Sequence, residues 1–549
     1  MIEIICANNG EHRNYPQGIT LQQVAIDMGL EPNMYAAYVN NKLKELDYAL
    51  FKPYTVEFIG FSHPEGQRMY DRSLSFVLYK AVNDIFPGKN LKIEHSVFGG
   101  YYCEIEGVSE LTKEQVSEID KRMRETIAQD LPYIRQRILT DDAIKLFEER
   151  GYYEKARLLK TRAHLYSSVY HLADVVDYFY GCLLPSTGYL KLFNIDKFYG
   201  GMLLREPKAD NPNKVADMIP QDKMFDVLQE FKHWGNILNV SYMYNINQSI
   251  ENKEIGDIIK VAEALQEKKL AQIADMIVSR NPLPRLVLLS GPSSSGKTTT
   301  ANRLAIQLKV AGYSPVTLSL DNYFVDREKT PRDENGDYDF EALEALDIPY
   351  LNNDLNRLLA GETIDVPKFS FKDGKRYFDG EKMILKPNSI IIAEGIHALN
   401  PNLTPQIDEK MKFMVYASAL TTISLDNHNR IPTTDTRLLR RIVRDYRYRG
   451  YSAQQTIDRW PSVRRGEEKH IYPNQEKADI MFNTAMVYET GVLKRYAEPI
   501  LQEVAPNCSA FREAKRLLKF LSYVKPISDE EIPPTSILRE FVGGSSFKY

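Results

Sequence analysis

The sequence predicts an α/β protein whose C-terminal half is a doubly wound parallel sheet, preceded by smaller α+β units. Three observations support this prediction. Apolar strands alternate with helical patterns from residue 283 onwards, a glycine-rich loop joins the first of these strands to the first helix, and the first 205 residues mix strands and helices without that alternation. A length of 549 residues suggests three or four domains.

Composition narrows the classes of protein to consider. The net charge of −4 argues against a protein that binds nucleic acid over its whole surface, but it does not exclude local basic patches. The four cysteines lie far apart, which excludes a disulfide framework and a zinc ribbon and suits a reducing cytosol. We find no secretory signal pattern at the N-terminus and no run of about 18 apolar residues. We therefore expect a cytoplasmic protein without a membrane span.

Residues 1–60 predict a compact α+β unit. Glu3–Cys6 is a candidate strand, and Thr20 is a candidate cap for a helix that begins at Leu21 and stops at Gly29. Two further strands are predicted, at Ala36–Val39 and Val56–Ile59.

Residues 61–210 predict a second α+β unit, richer in aromatic side chains. Helices are predicted over Asp71–Ile85 and from a capping box at Thr112 to about Ala128, and a strand over Tyr189–Ile195. The polar segment Glu206–Asn213 is a candidate linker. We interpret 211–280 as a helical connector that ends in the long amphipathic pattern of Ile255–Ser279.

Residues 281–525 carry the alternating pattern of the parallel sheet. The first strand is followed by a helix over Lys297–Val310, and the predicted strands are Leu286–Ser290, Val316–Leu320, Ser389–Ala393 and Phe413–Ala417. Residues 526–549 are rich in Pro, Gly and Ser, and we leave two interpretations open for them, an ordered arm or a loose tail.

The loop Gly291–Thr298 fits the phosphate-loop pattern GxxxxGK[ST] between a strand and a helix, which is the context the pattern requires. Its glycines let backbone N–H groups turn towards a polyphosphate, and the helix N-terminus adds partial positive charge. We expect Lys297 to bridge the β- and γ-phosphates of ATP and Thr298 to hold Mg²⁺. The remaining candidate ATP-binding residues are Gly291, Ser293, Ser294, Ser295, Gly296 and Thr299.

Two carboxylates follow apolar strands of the predicted sheet. Asp321 comes after Val316–Leu320, and Glu394 comes after Ser389–Ala393. Because the carboxyl ends of parallel strands line one crevice, both should face the phosphate loop. They could complete a Mg²⁺ shell, and one could accept a proton from an attacking hydroxyl. The alternative is that each caps a loop.

Residues 435–449 carry a run of arginines. Arg437, Arg441 and Arg444 share one face of a predicted helix, an arrangement that favours a bound anion. Arginine forks on this face would stabilise charge on a transferring phosphoryl group. A solvated charged face and an RNA-binding helix are the alternatives.

With these motifs in order, residues 285–485 resemble the uridine kinase/phosphoribulokinase family of P-loop kinases. The resemblance implies that Thr298, Asp321 and Glu394 surround Mg²⁺ and that Asp321 is the base at a nucleoside 5′-hydroxyl. It also implies catalytic and lid roles for the arginines Arg441, Arg444 and Arg449. It further implies an acceptor pocket within residues 324–369, formed by Phe324, Glu344 and Phe369.

The acceptor pocket departs from the family pattern. Uridine kinases carry Phe-Asp-His-Pro-Asp-Ala-Phe-Asp where this chain has Phe340–Asp347, so Glu344 would replace the ribose-binding aspartate. Phe369 stands where a tyrosine is expected, and Gly374 stands near an expected histidine. We therefore expect base selectivity unlike that of a uridine kinase.

The first 60 residues resemble a TGS domain, the ubiquitin-like module of threonyl-tRNA synthetases, and residues 61–205 resemble their editing domain. The four metal-ligand positions of that editing domain are Arg72, Phe76, Phe179 and Leu183 here, so zinc chemistry is not expected. The resemblance also raises an expectation of RNA contact through the N-terminal half.

The leading hypothesis is an ATP- and Mg²⁺-dependent kinase that phosphorylates a small-molecule acceptor, a nucleoside at its 5′-hydroxyl. One alternative is a sugar-phosphate kinase of the phosphoribulokinase type, and another is an RNA-binding regulatory protein with a nucleotide switch. We also expect a homo-oligomer.

Overall fold

The computed structural model describes residues 1–30, 34–162, 164–333, 336–370 and 373–548. A parallel sheet of five strands lies in the C-terminal half, as predicted. Two smaller α+β units precede it, and a set of helices lies between them and the sheet. No helix in the described ranges has both the length and the apolar character needed to cross a bilayer.

The first unit is a five-stranded sheet with one helix packed on it. The helix Leu21–Asp27 is capped by Thr20, whose hydroxyl accepts from the Gln23 amide, and this confirms the predicted start. Ile2–Cys6 and Tyr54–Ile59 pair in parallel at the centre of the sheet. The strands of this unit are Ile2–Cys6, His12–Tyr15, Ile19–Thr20, Ala36–Val39, Lys42–Glu45, Ala49–Leu50 and Tyr54–Ile59.

The second unit packs a long helix, Pro64–Ile85, against a four-stranded antiparallel sheet. The helix begins seven residues before the predicted Asp71, because Pro64 occupies its first turn and His63 caps it. The other helices of the unit are Lys113–Ala128, as predicted, Thr140–Glu149 and Tyr153–Lys160. Its strands are Leu91–Val97, Gly100–Ile105, Ile134–Leu139, Tyr166–Leu172, Val175–Asp177, Asn194–Phe198, Gly201–Arg205 and Pro207–Lys208.

Two predictions in this region were wrong in their bounds. The strand predicted over Tyr189–Ile195 is displaced to Asn194–Phe198, and Thr187–Tyr189 forms a 3-10 turn instead. The candidate linker Glu206–Asn213 contains a short hairpin, in which Pro207–Lys208 pairs with Asn211–Val215. The connector beyond it is helical, over Asp222–Ile237, Met243–Glu251 and Ile255–Ser279.

The C-terminal half is built on five parallel strands. In spatial order they are Ser314–Ser319, Ser389–Glu394, Leu286–Ser290, Lys412–Ser418 and Ile480–Asn483. The central strand Leu286–Ser290 is buried throughout, as expected for a sheet covered on both faces. The α-helices around this sheet are Lys297–Val310, Ile348–Leu359, Thr433–Arg444, Ala453–Gly466, Glu489–Gln502 and Ala510–Leu521. Four short strands form two hairpins beside it, Ile364–Asp365 with Lys382–Met383 and Lys368–Ser370 with Lys375–Tyr377.

The segment from residue 526 is an ordered arm as far as it is described, and this settles the choice that the sequence left open. It contains the short helix Arg539–Val542. The arm packs into the same apolar core as the kinase-like sheet through the fully buried side chains of Ile537, Leu538 and Phe541.

The helix Ala510–Leu521, which we call the clasp helix, joins three parts of the chain. Its Arg516 binds Asp435 at 2.6 Å and Glu513 at 2.5 Å, and Glu513 lies 3.6 Å from Arg68 of the second unit. Arg512 pairs with Glu57 of the first unit. The N-terminal units are therefore tied to the first turn of the helix Thr433–Arg444.

A second buried polar network joins the halves. Lys155 Nζ lies 2.7 Å from Asp177 and 3.0 Å from Asp426, and His428 Nδ1 lies 2.5 Å from Asp177. Lys155 is 2% exposed, and both carboxylates are fully buried. Lys155 and Asp177 belong to the second unit and the other two residues to the C-terminal half, so the interface between them contains buried charges.

Candidate active site

The phosphate loop follows the strand Leu286–Ser290 and leads into the helix Lys297–Val310, as predicted. Gly296 has a φ of 83°, a conformation that favours glycine, and a Cβ on Gly291 would lie 1.9 Å from the Ala417 carbonyl oxygen. The side-chain hydroxyls of Ser294 and Ser295 are buried without a hydrogen-bond partner among the described residues. Such orphaned groups beside a helix N-terminus fit an anionic ligand, which a polyphosphate would supply.

Lys297 lies inside the loop. Its Nζ donates to the Pro292 carbonyl oxygen at 3.1 Å. Burial lowers the pKa of Lys297, and Glu394 and Asp321 oppose that shift. The lysine thus stands between the loop and the two carboxylates that the sequence predicted beside it.

Those carboxylates form the acidic side of the site. Glu394 is the last residue of its strand, and Asp321 lies in the 3-10 turn Leu320–Tyr323, directly after the edge strand. Thr298 Oγ1 donates to Glu394 Oε1 at 3.2 Å, and Ser319 Oγ donates to the same oxygen at 3.0 Å. Burial, followed by the charge of Asp321, raises the pKa of Glu394 to about 7.

This arrangement fits a magnesium ion. The buried carboxylate of Glu394 and the half-buried carboxylate of Asp321 repel each other, and this repulsion is the second cause, after burial, of the raised pKa of Glu394. A divalent cation between them and the Thr298 hydroxyl would relieve it, and oxygen donors of this kind are those that Mg²⁺ prefers. Thr298, Asp321 and Glu394 are therefore the residues that would hold the ion.

Ser293 ties the phosphate loop to the helix Thr433–Arg444, which we call the lid helix. Arg441 Nη1 donates to Ser293 Oγ at 2.8 Å, and Arg437 donates to the Ser293 carbonyl oxygen at 2.9 and 3.0 Å. The Ser293 amide donates to Glu467, which also pairs with Arg437. Although burial opposes it, the charge of Arg437 lowers the pKa of Glu467.

The arginines of the lid helix divide into two groups. Arg437 and Arg440 are buried in ion pairs with Glu467 and Glu489, so these two are structural. The other two, Arg441 and Arg444, gather around one carboxylate, Asp445, together with Arg449 from the turn Asp445–Arg449 that follows the helix. Three arginines on a single carboxylate leave an excess of positive charge beside the loop.

Two arginines of the cluster, Arg441 and Arg449, have lowered pKa values, and the positive charge of Arg444 contributes to both. Burial, followed by the charge of Arg444, lowers the pKa of Arg441. The charge of Arg444, followed by burial, lowers the pKa of Arg449 to about 10. An anionic ligand would relieve this repulsion, which supports the sequence prediction of a phosphoryl-facing arginine cluster.

Thr299 is engaged by the arm. Its hydroxyl donates to Glu540 Oε2 at 2.6 Å, and its amide donates to the same oxygen at 3.3 Å. No local sequence pattern indicates this contact, because the two residues are 241 positions apart.

The stretch 324–369, where the sequence predicts the acceptor pocket, contains a carboxylate that sequence reasoning missed, Glu341. Glu341 feels the charges of Lys297, Asp321 and Arg441, so it lies at the edge of the same cluster. Burial, followed by the charge of Glu467, raises the pKa of Glu341 to about 7. The structure does not bring the predicted Glu344 to this cluster: its side chain is exposed and its charge acts on His470.

A signal for Glu341 was present in the sequence. In the uridine kinase stretch an aspartate directly follows the phenylalanine, and Glu341 directly follows Phe340. Matching the first acidic residue rather than the second would have identified it.

The predicted aromatic residues of the acceptor side contact each other. The rings of Phe324 and Phe369 lie 5.5 Å apart, and Phe324 is buried while Phe369 is half-buried. Phe369 therefore has the larger solvent-exposed surface of the two. Gly374 lies against Arg327, where a Cβ would approach the Arg327 side chain to 2.7 Å.

The former metal-ligand positions of the second unit are filled by a salt bridge and an aromatic pair. Arg72 binds Glu65 at 2.6 Å and the Cys182 carbonyl oxygen at 3.0 Å. The rings of Phe76 and Phe179 lie 5.4 Å apart, and Leu183 is buried beside them in the same core. Side chains of this chemistry provide packing and no metal ligand.

Comparison with known proteins agrees with the two halves of this description. Residues 286–490 match the Phosphoribulokinase / Uridine kinase family. Among solved structures, one described as a possible uridine kinase from Bacillus stearothermophilus is 22% identical; the alignment covers 39% of this chain and 98% of that one, with a TM-score of 0.28.

The curated relatives are threonine–tRNA ligases. The protein from Marinobacter nauticus is 30% identical over 200 residues, which are 36% of this chain and 31% of the ligase. The protein from Syntrophomonas wolfei is 29% identical over 222 residues, 40% of this chain and 35% of the ligase. The match thus spans about a third of the length of these relatives and covers the N-terminal region of this chain. The C-terminal half of the protein carries a domain of the phosphoribulokinase/uridine kinase family, and the region before it is homologous to threonine–tRNA ligases.

Proposed function

We propose that the protein transfers the γ-phosphoryl group of ATP to the 5′-hydroxyl of a nucleoside, with Mg²⁺. One observation carries the proposal: the phosphate loop, the two strand-end carboxylates and the arginine cluster of the lid helix face the same edge of the sheet. The charges of Glu394 and Asp321 act on the pKa of Lys297, and Arg441 donates a hydrogen bond to Ser293 of the loop. This is the set of groups that phosphoryl transfer needs.

Each side chain has a role in this proposal. Asp321 accepts the proton of the attacking hydroxyl, since the turn that holds it leads directly to Phe324 of the predicted acceptor pocket. Lys297, Arg441 and Arg444 stabilise negative charge on the transferring phosphoryl group, where buried cations act most strongly. A bound Mg²⁺ would supply further charge neutralisation at the phosphate oxygens.

Glu341 supports a polyhydroxylated acceptor. The Glu341 Oε2 is buried without a hydrogen-bond partner among the described residues, and a carboxylate on which Lys297 and Arg441 act can accept hydrogen bonds from ribose hydroxyls. The base end of the pocket offers the ring of Phe369 and no polar side chain at the two positions that differ from uridine kinases. Aromatic stacking discriminates between bases far less than hydrogen bonding does. A site that hydrogen-bonds a base edge can lower kcat/KM for an analogue lacking that edge by about 10⁴ or more. We therefore expect uridine and cytidine to have no large advantage over other nucleosides.

An acceptor panel tests the proposal. Full-length protein is assayed for ADP release with MgATP and uridine, cytidine, adenosine, guanosine, inosine or a pentose phosphate. Turnover with several nucleosides is expected. A preference for uridine above roughly a thousandfold would contradict the selectivity argument. Turnover with the sugar phosphate alone would make the protein a sugar-phosphate kinase.

Matched variants locate the acceptor carboxylate. Glu341→Gln should raise KM for the nucleoside at least tenfold, because hydrogen bonds to a charged group are the stronger kind. Glu344→Gln, three residues away and exposed, should leave KM unchanged. If the two variants behave alike, Glu341 does not bind the acceptor. If no acceptor in the panel is phosphorylated, the regulatory RNA-binding hypothesis becomes the better one, and RNA binding by the full chain tests it.

Cytoplasmic location and assembly into a homo-oligomer complete the proposal. A cytosolic setting supplies both ATP and nucleosides and suits the four free cysteines. Light scattering on the purified protein measures the oligomeric state.

A further inference from the structure

The arm brings a carboxylate to the phosphate loop. Glu540 Oε2 accepts from the Thr299 hydroxyl at 2.6 Å and from the Thr299 amide at 3.3 Å. Thr299 is in the first turn of the helix that follows the loop, where N–H groups point away from the helix towards an anion. In a phosphate loop these N–H groups cradle the α- and β-phosphates of the nucleotide. Glu540 therefore occupies a position that a phosphate of the donor would need.

The surrounding packing holds Glu540 there. The flanking Ile537 and Phe541 are fully buried. A Cβ on Gly296 would lie 2.7 Å from Ile537, so the arm lies directly against the loop glycine. The guanidinium of Arg440 lies 5.1 Å from the Phe541 ring. These side chains hold the arm against the loop, and the contact of Glu540 with Thr299 adds to that hold.

The charge of Glu540 also reaches the reacting groups. It acts on Lys297 together with Glu394 and Asp321, and it adds to the negative charge around Glu394. A nucleotide phosphate at Thr299 would meet this carboxylate as a like charge at hydrogen-bond distance. The two anions cannot share the same amide and hydroxyl.

We propose that Glu540 is a donor-site residue that competes with the nucleotide phosphate nearest the nucleoside, so that ATP binds only when Glu540 turns away from Thr299. The inference rests on the proposed role of the loop as the ATP site. The inference assigns a function to the arm. The arm sets the affinity for the donor nucleotide, and the order of the arm depends on whether a nucleotide is bound.

The test measures binding of the non-hydrolysable analogue AMP-PNP with Mg²⁺ to the full-length protein by calorimetry. Glu540→Gln removes the charge and keeps the shape, and Glu530→Gln is the matched control on an exposed part of the same arm. A hydrogen bond to an ionised group changes an equilibrium constant by about tenfold or more. We therefore expect the Kd for AMP-PNP to be at least tenfold lower in Glu540→Gln than in the wild type. The Kd of Glu530→Gln should stay within twofold of the wild type.

Hydrogen exchange on the wild-type protein gives a second readout that does not depend on a variant folding. Amides of residues 536–545 should exchange faster when AMP-PNP is bound, because the contact to Thr299 is lost. An unchanged or weaker affinity in Glu540→Gln, or slower exchange of the arm with nucleotide, would overturn the inference and leave the kinase proposal standing. If AMP-PNP binds to none of the proteins, both fail.

Discussion

Replacing Lys155 by Met should destabilise the protein strongly. Met keeps the unbranched apolar stem of the lysine and removes its charge, so the loss reports on the ion pairs rather than on a cavity. Lys155 is 2% exposed and neutralises two fully buried carboxylates, Asp177 at 2.7 Å and Asp426 at 3.0 Å. Removing one partner of a buried ion pair typically costs about 3–5 kcal/mol, because a charge is left uncompensated. With two carboxylates affected, we expect the upper part of that range.

The pH dependence separates this explanation from a packing defect. In the wild type, burial raises the pKa of Asp177, but the charges of Lys155 and His428 together outweigh burial, and the pKa is lowered overall. The wild type therefore keeps this stabilisation between pH 7 and pH 5. Without Lys155, burial should raise the folded-state pKa of Asp177 above the unfolded value of about 3.9. Asp177 then takes up a proton as the pH falls, so the deficit of the variant should shrink from pH 7 to pH 5.

Urea unfolding followed by the fluorescence of Trp234 and Trp460 measures the free energy of unfolding at both pH values. Lys160→Met is the control, since Lys160 lies on the same helix and pairs at the surface with Glu148, where ion pairs contribute at most about 1 kcal/mol. A deficit below 1 kcal/mol for Lys155→Met, or one that does not change with pH, would refute the argument.

Three further predictions concern the two halves of the chain. Lys297→Ala should abolish phosphoryl transfer without changing the circular dichroism spectrum, because a cation acting on the transferring group contributes several kcal/mol; more than a tenth of wild-type kcat would contradict its assignment. Asp321→Asn should lower kcat by about 10²–10⁴-fold and affect ATP binding far less; if calorimetry shows ATP affinity collapsing while kcat at saturation survives, Asp321 is a binding residue only. The second unit should bind no zinc; stoichiometric zinc in metal analysis of the purified protein, lost in a Cys182→Ala variant, would mean that a site exists there after all.

Sequence reasoning located the parts of the site whose chemistry is local. The phosphate loop, the strand before it and the helix after it follow from glycine spacing and apolar patterning, and Asp321 and Glu394 follow from their place at the ends of apolar strands. The bounds of Lys297–Val310 and Ile255–Ser279 agree to the residue, because both are long helices with clear periodicity.

The remaining features depend on contacts that no local pattern encodes. Glu341 and Glu344 are three residues apart around a 3-10 turn, and only the tertiary placement of that turn decides which one enters the site. Arg437 and Arg440 resemble their lid neighbours in sequence and differ in being fully buried, each paired with a carboxylate distant in sequence, Glu467 and Glu489. The order of the arm has the same origin, since its short apolar runs gain their burial from the sheet they cover.

The clasp helix also sets the order of events during synthesis. Arg512 pairs with Glu57 across 455 positions of sequence. At about 5–20 residues per second, a ribosome needs roughly 20–90 s to pass from one partner to the other. The first unit must therefore stay folded, or shielded, for that interval before its partner surface exists. A chain cut short before residue 510 would lack both the clasp helix and the arm that contacts the phosphate loop, so the N-terminal units reach their final setting only when the donor site is complete.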